Sequence, residues 1–452
     1  MSRDLAFLLP ELTLMVTVAL MLVAEMLRRA GLTLLVGLAG LALAVWFTLP
    51  VLNADATVFG GTYRIDLLSG WAKLILLPAT ALSLLLARAE LSGRVREGSV
   101  YSLIMLVTIG ALMLAGSGDT MLLVLGIVVT GLGSFALVAY PGDDAATEAS
   151  MKYLVFGSVT GAIMIYGLSF WFAGSGATVF SALTALQDKP LLAAFGLIAV
   201  LVGLGYKAAL VPFHFWAPDA YEGAPVSVAA YMSVVTKIAA IFAFAQLLRD
   251  LPPQTGWPMA IAVIAALTMT YGYLAALVQD NLVRLLAYSS VAQAGYFLLG
   301  LVALESGAIA LQSIIVFAAA YAAMNIGAFT IILLAGRDMG AIRGLGRRAP
   351  VPGIAMVVFL LSLAGIPPLF GFFGKFLLFG AALEAGFLWL AVIAILNSVL
   401  SLAVYLRIIV AMYRAPEGDE IAPRVSPVAA LVWGASLAVT LGLGIFTQLL
   451  AG

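Results

Sequence analysis

The sequence predicts an all-α polytopic membrane protein with about fourteen transmembrane helices. Two observations carry this. Of 452 residues, 64% are hydrophobic and only 10% charged, and the mean hydropathy is +1.14. No soluble chain hides that much apolar surface, so lipid must be the solvent for most of it. The apolar residues also fall into runs of about 20, the length that crosses a hydrocarbon core as a helix. Backbone polar groups in lipid must be satisfied within the segment, which favours helices over open strands.

Taken in order, the runs cover about 5–27, 31–52, 68–88, 99–117, 120–140, 149–173, 191–213, 225–248, 257–278, 284–304, 308–335, 350–380, 387–413 and 427–450. The first lacks the small-residue pattern of a cleaved signal and reads as a membrane span. The fifth starts at Asp119 and closes on Val138, Ala139 and Tyr140. It holds no acid between Met121 and Tyr140. The sixth opens with Glu148 and Lys152, whose i,i+4 spacing suits a surface ion pair. The seventh carries Lys207 and then Pro212 and His214, followed by a loop with Asp219 and Glu222. The eighth carries Lys237. The tenth carries Tyr288, Ser289, Ser290 and Gln293, which suit a water path or polar packing between helices. The twelfth carries Pro367, Pro368, Gly371 and Gly374 before Lys375. The loops leave no room for an extramembrane domain.

Proline removes a backbone donor and breaks or kinks a helix. The seventh and twelfth spans should therefore be interrupted, near Leu210–Phe215 and Pro367–Gly371. Two interrupted spans five helices apart predict two five-helix repeats, spans 4–8 and 9–13. An odd number of helices per repeat inverts the second relative to the first, and broken helices in matching positions point to an ion path. The expected divisions are a three-helix segment (1–98), the first repeat (99–248), the second repeat (257–413) and a last helix (427–452).

Basic residues set the orientation. Arg28, Arg29, Arg88, Arg94, Arg96, Lys152, Arg284, Arg337, Arg343, Arg347, Arg348, Arg407, Arg414 and Arg424 lie after odd-numbered spans or beside those loops. Arg3, Arg64, Lys73, Lys189 and Arg249 lie on the other side. Loops after odd spans should face the cytoplasm, and both termini the periplasm.

Charge at membrane depth is expensive and persists mainly where it faces a bundle interior or a watery cavity. Lys207, Lys237 and Lys375 therefore point to handling of an ion, and the proton is the one expected. The chain has no cysteine and one histidine. That excludes disulfides, thiolate-bound clusters and a bis-histidine haem. A net charge of zero gives no sign of nucleic-acid binding.

The strings GLGYKAALVPFHFWAPDAYEGAP (203–225), RLLAYSSVAQAGY (284–296), AAMNIGAF (322–329), AGIPPLFGFFGKFLLF (364–379) and LNSVLSLAVYLRIIVAMY (396–413) resemble the antiporter-like membrane subunits of bacterial NADH:quinone oxidoreductase, respiratory complex I, and its subunit N family in particular. The resemblance extends over essentially the whole chain. It implies fourteen helices with two inverted repeats, in the bacterial plasma membrane. It implies no cofactor on this chain, with NADH, FMN, iron–sulfur clusters and quinone bound by other subunits. The implied partners are neighbouring antiporter-like subunits, the small subunits on the quinone-module side and the lipid bilayer. Lys207, Lys237 and Lys375 match the family lysines of the seventh, eighth and twelfth helices, and His214 the histidine after the seventh-helix break. All four are expected to relay protons, with Glu148 and Lys152 in a minor role.

One departure stands out. The resemblance implies a glutamate in the fifth helix, and Val128 occupies its place. Lys207 then lacks its partner. It either stays neutral or takes an acid from a neighbouring subunit or a file of water. The alternatives are a scaffold subunit of the same complex with an impaired channel, and a cation/proton antiporter subunit.

Overall fold

A computed structural model describes the backbone of residues 2–415 and 426–451. Arg424 lies outside the described residues, as does the side chain of Arg3. Among the described residues the regular structure is helical apart from one short hairpin. Among the described residues thirteen helices are long and apolar enough to cross a membrane. A further span is split into two shorter helices, Pro350–Ala364 and Phe370–Glu384. Described in this way, the spans number fourteen.

Polar side chains start several spans where the sequence turns from loop to apolar run. Asp66 accepts from Ser69 N–H at 2.8 Å, Asp143 from Ala146 N–H at 2.8 Å, and Asn281 from Arg284 N–H at 3.0 Å. Asp119 accepts from Met121 N–H at 2.6 Å. Each satisfies a helix-start donor that has no intrahelical partner.

Position in the bundle follows polarity. The eighth span, Val226–Leu248, is buried along its whole length, and the tenth (Leu282–Val302) and eleventh (Ala308–Ala335) nearly so. These three carry serines, threonines, tyrosines, Gln293, Asn325 and Lys237, which lipid would penalise. The sixth span, Asp144–Ser175, lies at the rim, with Met151, Val155, Val159 and Tyr166 exposed. The ninth span, Trp257–Leu277, crosses the tenth at glycines. A Cβ on Gly272 would stand 2.6 Å from Ala292 N, and one on Gly295 2.8 Å from Met269 N, so glycine is required for this approach.

The hairpin pairs Ala56–Val58 antiparallel with Tyr63–Ile65. Nothing in the sequence patterning predicts it. It lies between the second span (Ala30–Thr48) and the third (Leu67–Leu91), and Arg64 N–H donates to Gly116 O at 2.8 Å. Lys73 lies in the third span, as its run of 68–88 implies, but its partner is not foreseen from sequence. It is buried in the third span, its ammonium 2.6 Å from Glu11 Oε1 of the first (Leu9–Met26). Tyr63 O–H donates to the same carboxylate at 2.5 Å.

Candidate functional site: a buried polar axis

The seventh span runs Pro190–Ala208, stops, and resumes as Trp216–Gly223. Its first half ends on Ala209 in the left-handed region, φ 58°. Leu210 N–H donates to Gly205 O at 2.8 Å and Ala209 N–H to Tyr206 O at 2.9 Å, a Schellman closure. The twelfth span repeats the device. Gly365 has φ 91°, Ile366 N–H donates to Leu361 O and Gly365 N–H to Ser362 O, both at 3.0 Å. Both breaks then carry a cis X–Pro bond, Val211–Pro212 and Pro367–Pro368.

The donors and acceptors released at the breaks find side chains. Val211 N–H donates to Thr268 Oγ1 at 3.1 Å, and Trp216 Nε1–H to Tyr206 O at 2.8 Å. Gly371 N–H donates to Ser362 Oγ at 3.0 Å. A Cβ on Gly371 would stand 2.0 Å from Ser362 O, so this closure requires glycine.

The eighth span is irregular in another way. Met232–Thr236 forms a π-turn between Val226–Tyr231 and Lys237–Leu248. Such a turn adds a residue and rotates the rest of the helix, often at functional sites. The loosened segment is held from the eleventh span. Tyr321 O–H donates to Ser233 O at 3.1 Å, and Asn325 Nδ2–H to Ser233 Oγ at 2.6 Å. At its start, the Glu90 carboxylate of the third span accepts from Val226 N–H at 2.9 Å, Ser227 N–H at 2.8 Å and Ser227 O–H at 2.7 Å.

These irregular places hold the three lysines, each at most 2% exposed. The Lys237 ammonium donates to Ser290 O at 2.8 Å and Ser290 Oγ at 2.7 Å. The Lys375 ammonium donates to Ala364 O at 3.2 Å and Ser398 Oγ at 3.5 Å, and lies 4.1 Å from the centre of the Tyr296 ring. Ala364 O belongs to the C-terminal end of a half-helix, where a cation is favoured. Lys375 thus also stabilises the break itself.

Between Lys237 and Lys375 the tenth span presents one polar group after another. Ser289 Oγ lies 2.6 Å from Tyr405 O–H. Gln293 Nε2–H donates to Tyr405 Oη at 3.2 Å and to Leu363 O at 2.9 Å. One turn on, Tyr296 O–H lies 2.9 Å from Ser398 Oγ, which reaches Lys375. Ser289, Ser290 and Gln293 are candidates from sequence. Tyr288 is only partly buried and outside this string. Sequence reasoning missed Tyr296, Tyr405 and Ser398 as site residues, although all three fall within the motif strings at 284–296 and 396–413. Their hydroxyls within buried apolar spans were the available signal.

Lys207 is arranged differently. Its ammonium donates to Tyr153 Oη at 3.4 Å and lies 5.8 Å from that ring's centre. The ring stacks on Trp216 with centroids 4.2 Å apart. Among the described residues no carboxylate pairs with Lys207. His214 is also buried, edge-on to Tyr271 at 4.6 Å, and its Nδ1 has no hydrogen-bond partner. Glu148 and Lys152 lie at the rim. Lys152 bridges Glu148 at 2.7 Å and Asp219 at 2.9 Å, and Asp219 and Glu222 both hold Arg284. Asp219 and Glu222, expected in a loop, lie on the helix Trp216–Gly223, and these pairs tie that second half of the seventh span to the sixth and tenth spans.

Residues 117–401 match the family described as NADH:quinone oxidoreductase/Mrp antiporter, TM. The chain is 38% identical to NADH-quinone oxidoreductase subunit N of Desulfovibrio desulfuricans, over 92% of this chain and 88% of that one. It is 37% identical to subunit N of Rhodospirillum rubrum, over 90% and 87%. Among solved structures it superposes on a chain of respiratory complex I from Thermus thermophilus with a TM-score of 0.85 and 32% identity, covering 97% and 98%. A chain of the Mrp complex from Dietzia shares the fold, with a TM-score of 0.87 and 24% identity, covering 100% and 96%.

Proposed function

Because the chain belongs to the subunit N family of NADH-quinone oxidoreductase, respiratory complex I, we propose that it moves protons along its buried polar axis while the redox chemistry proceeds on other subunits. The family places it as an antiporter-like, multi-pass membrane subunit of that assembly. The single observation that carries the proton reading is the line of three buried hydrogen-bonded groups along the tenth span: Lys237 with Ser290, Ser289 with Tyr405 and Gln293, and Tyr296 with Ser398 and Lys375.

Hydroxyls both donate and accept, so within each group they can pass a proton by rotating in place, and water would have to join one group to the next. The lysines supply titrating ends. Each is a buried amine that can take up or give up a proton, and each lies within reach of a hydroxyl. Main-chain carbonyls accept from two of them, Ser290 O from Lys237 and Ala364 O from Lys375, and of these only Ala364 O ends a half-helix. His214 lies at the seventh-span break, between the two halves of a span that carries Lys207. We assign it to the route toward the cytoplasm. Both termini face the periplasm in this reading, since the cationic loops face inward. The matched closures at Ala209 and Gly365 support inverted repeats over spans 4–8 and 9–13.

A second reading has one observation in its favour. Lys207 lacks an acid in this chain, so the Lys207 half of the axis is less strongly driven than a carboxylate–lysine pair would make it. The subunit would then act mainly as a scaffold. A sodium route is disfavoured, because hard cations want clustered oxygen ligands, and among the described residues no group of three or more acids and histidines converges.

The test is Lys375→Ala and Lys207→Ala in the intact complex in vesicles, with quinone reduction and proton uptake measured together. Reduced proton uptake per quinone in both variants is expected. Full coupling in both would move the chain to the scaffold reading. Loss in Lys375→Ala alone would confine conduction to the second half of the axis.

A further inference from the structure

The last span, Pro427–Ala451, lies outside spans 4–8 and 9–13. Its buried face runs through Ala429, Val432, Ser436, Thr440 and Gly444. These side chains are mostly small, the composition that lets two helix backbones approach closely in a membrane. The last span packs on the eleventh span and on both halves of the twelfth, Pro350–Ala364 and Phe370–Glu384.

The approach is tightest at Gly444. A Cβ there would stand 2.6 Å from Pro368 O, 2.8 Å from Phe370 N and 3.0 Å from Leu369 C. All three are backbone atoms of the link that joins the two half-helices, and backbone does not swing aside as a flexible side chain does. Two residues earlier on the same helix, Gly442 is exposed, and a Cβ there would meet nothing within 4 Å. Glycine weakens a helix at both positions, but only at Gly444 does a contact require it.

The link sets how far apart the two half-helices stand, and one charged contact spans that gap. Lys375 belongs to the second half, five residues after Phe370, and its ammonium donates to Ala364 O at the end of the first half, at 3.2 Å. We propose that Gly444 is a positioning residue for Lys375. It lets the backbone of the last span sit against Pro368 and Phe370. That fixes the separation of the half-helices and holds the ammonium on the Ala364 carbonyl. The last span is then a brace for the Lys375 site. The inference rests on the proton-axis reading for its purpose and not for its geometry.

The test compares Gly444→Ala with Gly442→Ala in the intact complex. Both add the same methyl group to the same helix, and only one adds it against the link. Each variant is imaged by electron cryomicroscopy, and quinone reduction and proton uptake are measured together in vesicles. Gly444→Ala is expected to push the link away by about 0.8 Å, from 2.6 Å to ordinary contact at 3.4 Å. The Lys375 ammonium should then leave hydrogen-bond range of Ala364 O. Proton uptake per quinone should fall about as far as in Lys375→Ala, while Gly442→Ala keeps the parental structure and coupling. An unmoved link would overturn the proposal, as would a moved link that keeps the 3.2 Å contact. So would the same displacement in Gly442→Ala. A Gly444→Ala complex that does not assemble beside an intact Gly442→Ala complex would assign Gly444 to folding and overturn the positioning role. A lost contact with full proton uptake would leave the brace standing and count against the proton-axis reading, so the two failures are told apart.

Discussion

Replacing Lys237 with methionine separates a conducting role from a structural one. The substitution keeps a long unbranched side chain in a fully buried site and removes the charge. The lost contacts are two charged hydrogen bonds to Ser290, at 2.8 and 2.7 Å. Each is worth roughly 1.5–3 kcal/mol, so about 3–6 kcal/mol is forfeited. Against this, the cost of keeping an ammonium out of water is several kcal/mol, and the variant no longer bears it. Ser290 is not left with an orphan donor, since its hydroxyl donates to Ala287 O at 2.8 Å. The two terms nearly cancel, and the variant should assemble with a stability within about 2 kcal/mol of the parent. Proton flux through this subunit should fall by an order of magnitude or more, which is about 1.4 kcal/mol on the barrier. Purified complex in vesicles gives both quantities, from thermal unfolding and from proton uptake per quinone reduced. Unchanged coupling would refute the relay role of Lys237. Failure to assemble would assign the lysine to holding the tenth span instead.

Three further outcomes are expected. Lys73→Met leaves Glu11 and its Tyr63 bond without a counter-charge, and should cost about 3–5 kcal/mol; Lys73→Met with Glu11→Gln should recover most of it. Thermal unfolding of the complex checks this, and equal losses in single and double variants would count against a buried pair. Asp66 lies outside the spans, and although burial alone would raise its pKa, Arg249, the Ser69 N–H and Gln246 together hold it below the ordinary aspartate value. The stability it contributes is therefore present above the ordinary aspartate pKa and lost as pH falls through the lower folded-state value. Asp66→Asn should flatten that acid limb of a stability–pH curve, and an unchanged limb would contradict the assignment. Gly371→Ala forces a Cβ against Ser362 O and should destabilise the twelfth-span break by about 1–3 kcal/mol, read from the yield of assembled complex; a neutral variant would show that the break yields.

Much of this protein is legible in its sequence alone. The membrane class, the number of spans and the two breaks come from hydrophobic runs and from Pro and Gly placement. Those signals are local, because a segment of about 20 apolar residues must solve its own hydrogen bonding in lipid. The three lysines are legible for the same reason, since a charge inside such a segment is too costly to be incidental. The motif strings identified the relatives. Val128 could be read as a missing acid only by comparison with that pattern.

Tertiary structure decided what no segment carries alone. Ser289 and Gln293 belong to one span and Tyr405 to another 112 or more residues away, so no periodicity could pair them. Lys73 reads from sequence only as a charge near the start of the third span. It became a buried partner only when the first span and the hairpin brought Glu11 and Tyr63 to it. The π-turn before Lys237 left no mark in sequence, because its stabilising bonds come from Tyr321 and Asn325 of a distant helix. The groove between the fifth and sixth spans, with Tyr206 and Lys207 in its lining, likewise needs three separate spans in place. Local sequence determines which segments enter the membrane and where their helices fail. Which polar groups then meet depends on helix packing, where long-range neighbours rather than nearest ones satisfy each buried donor and acceptor.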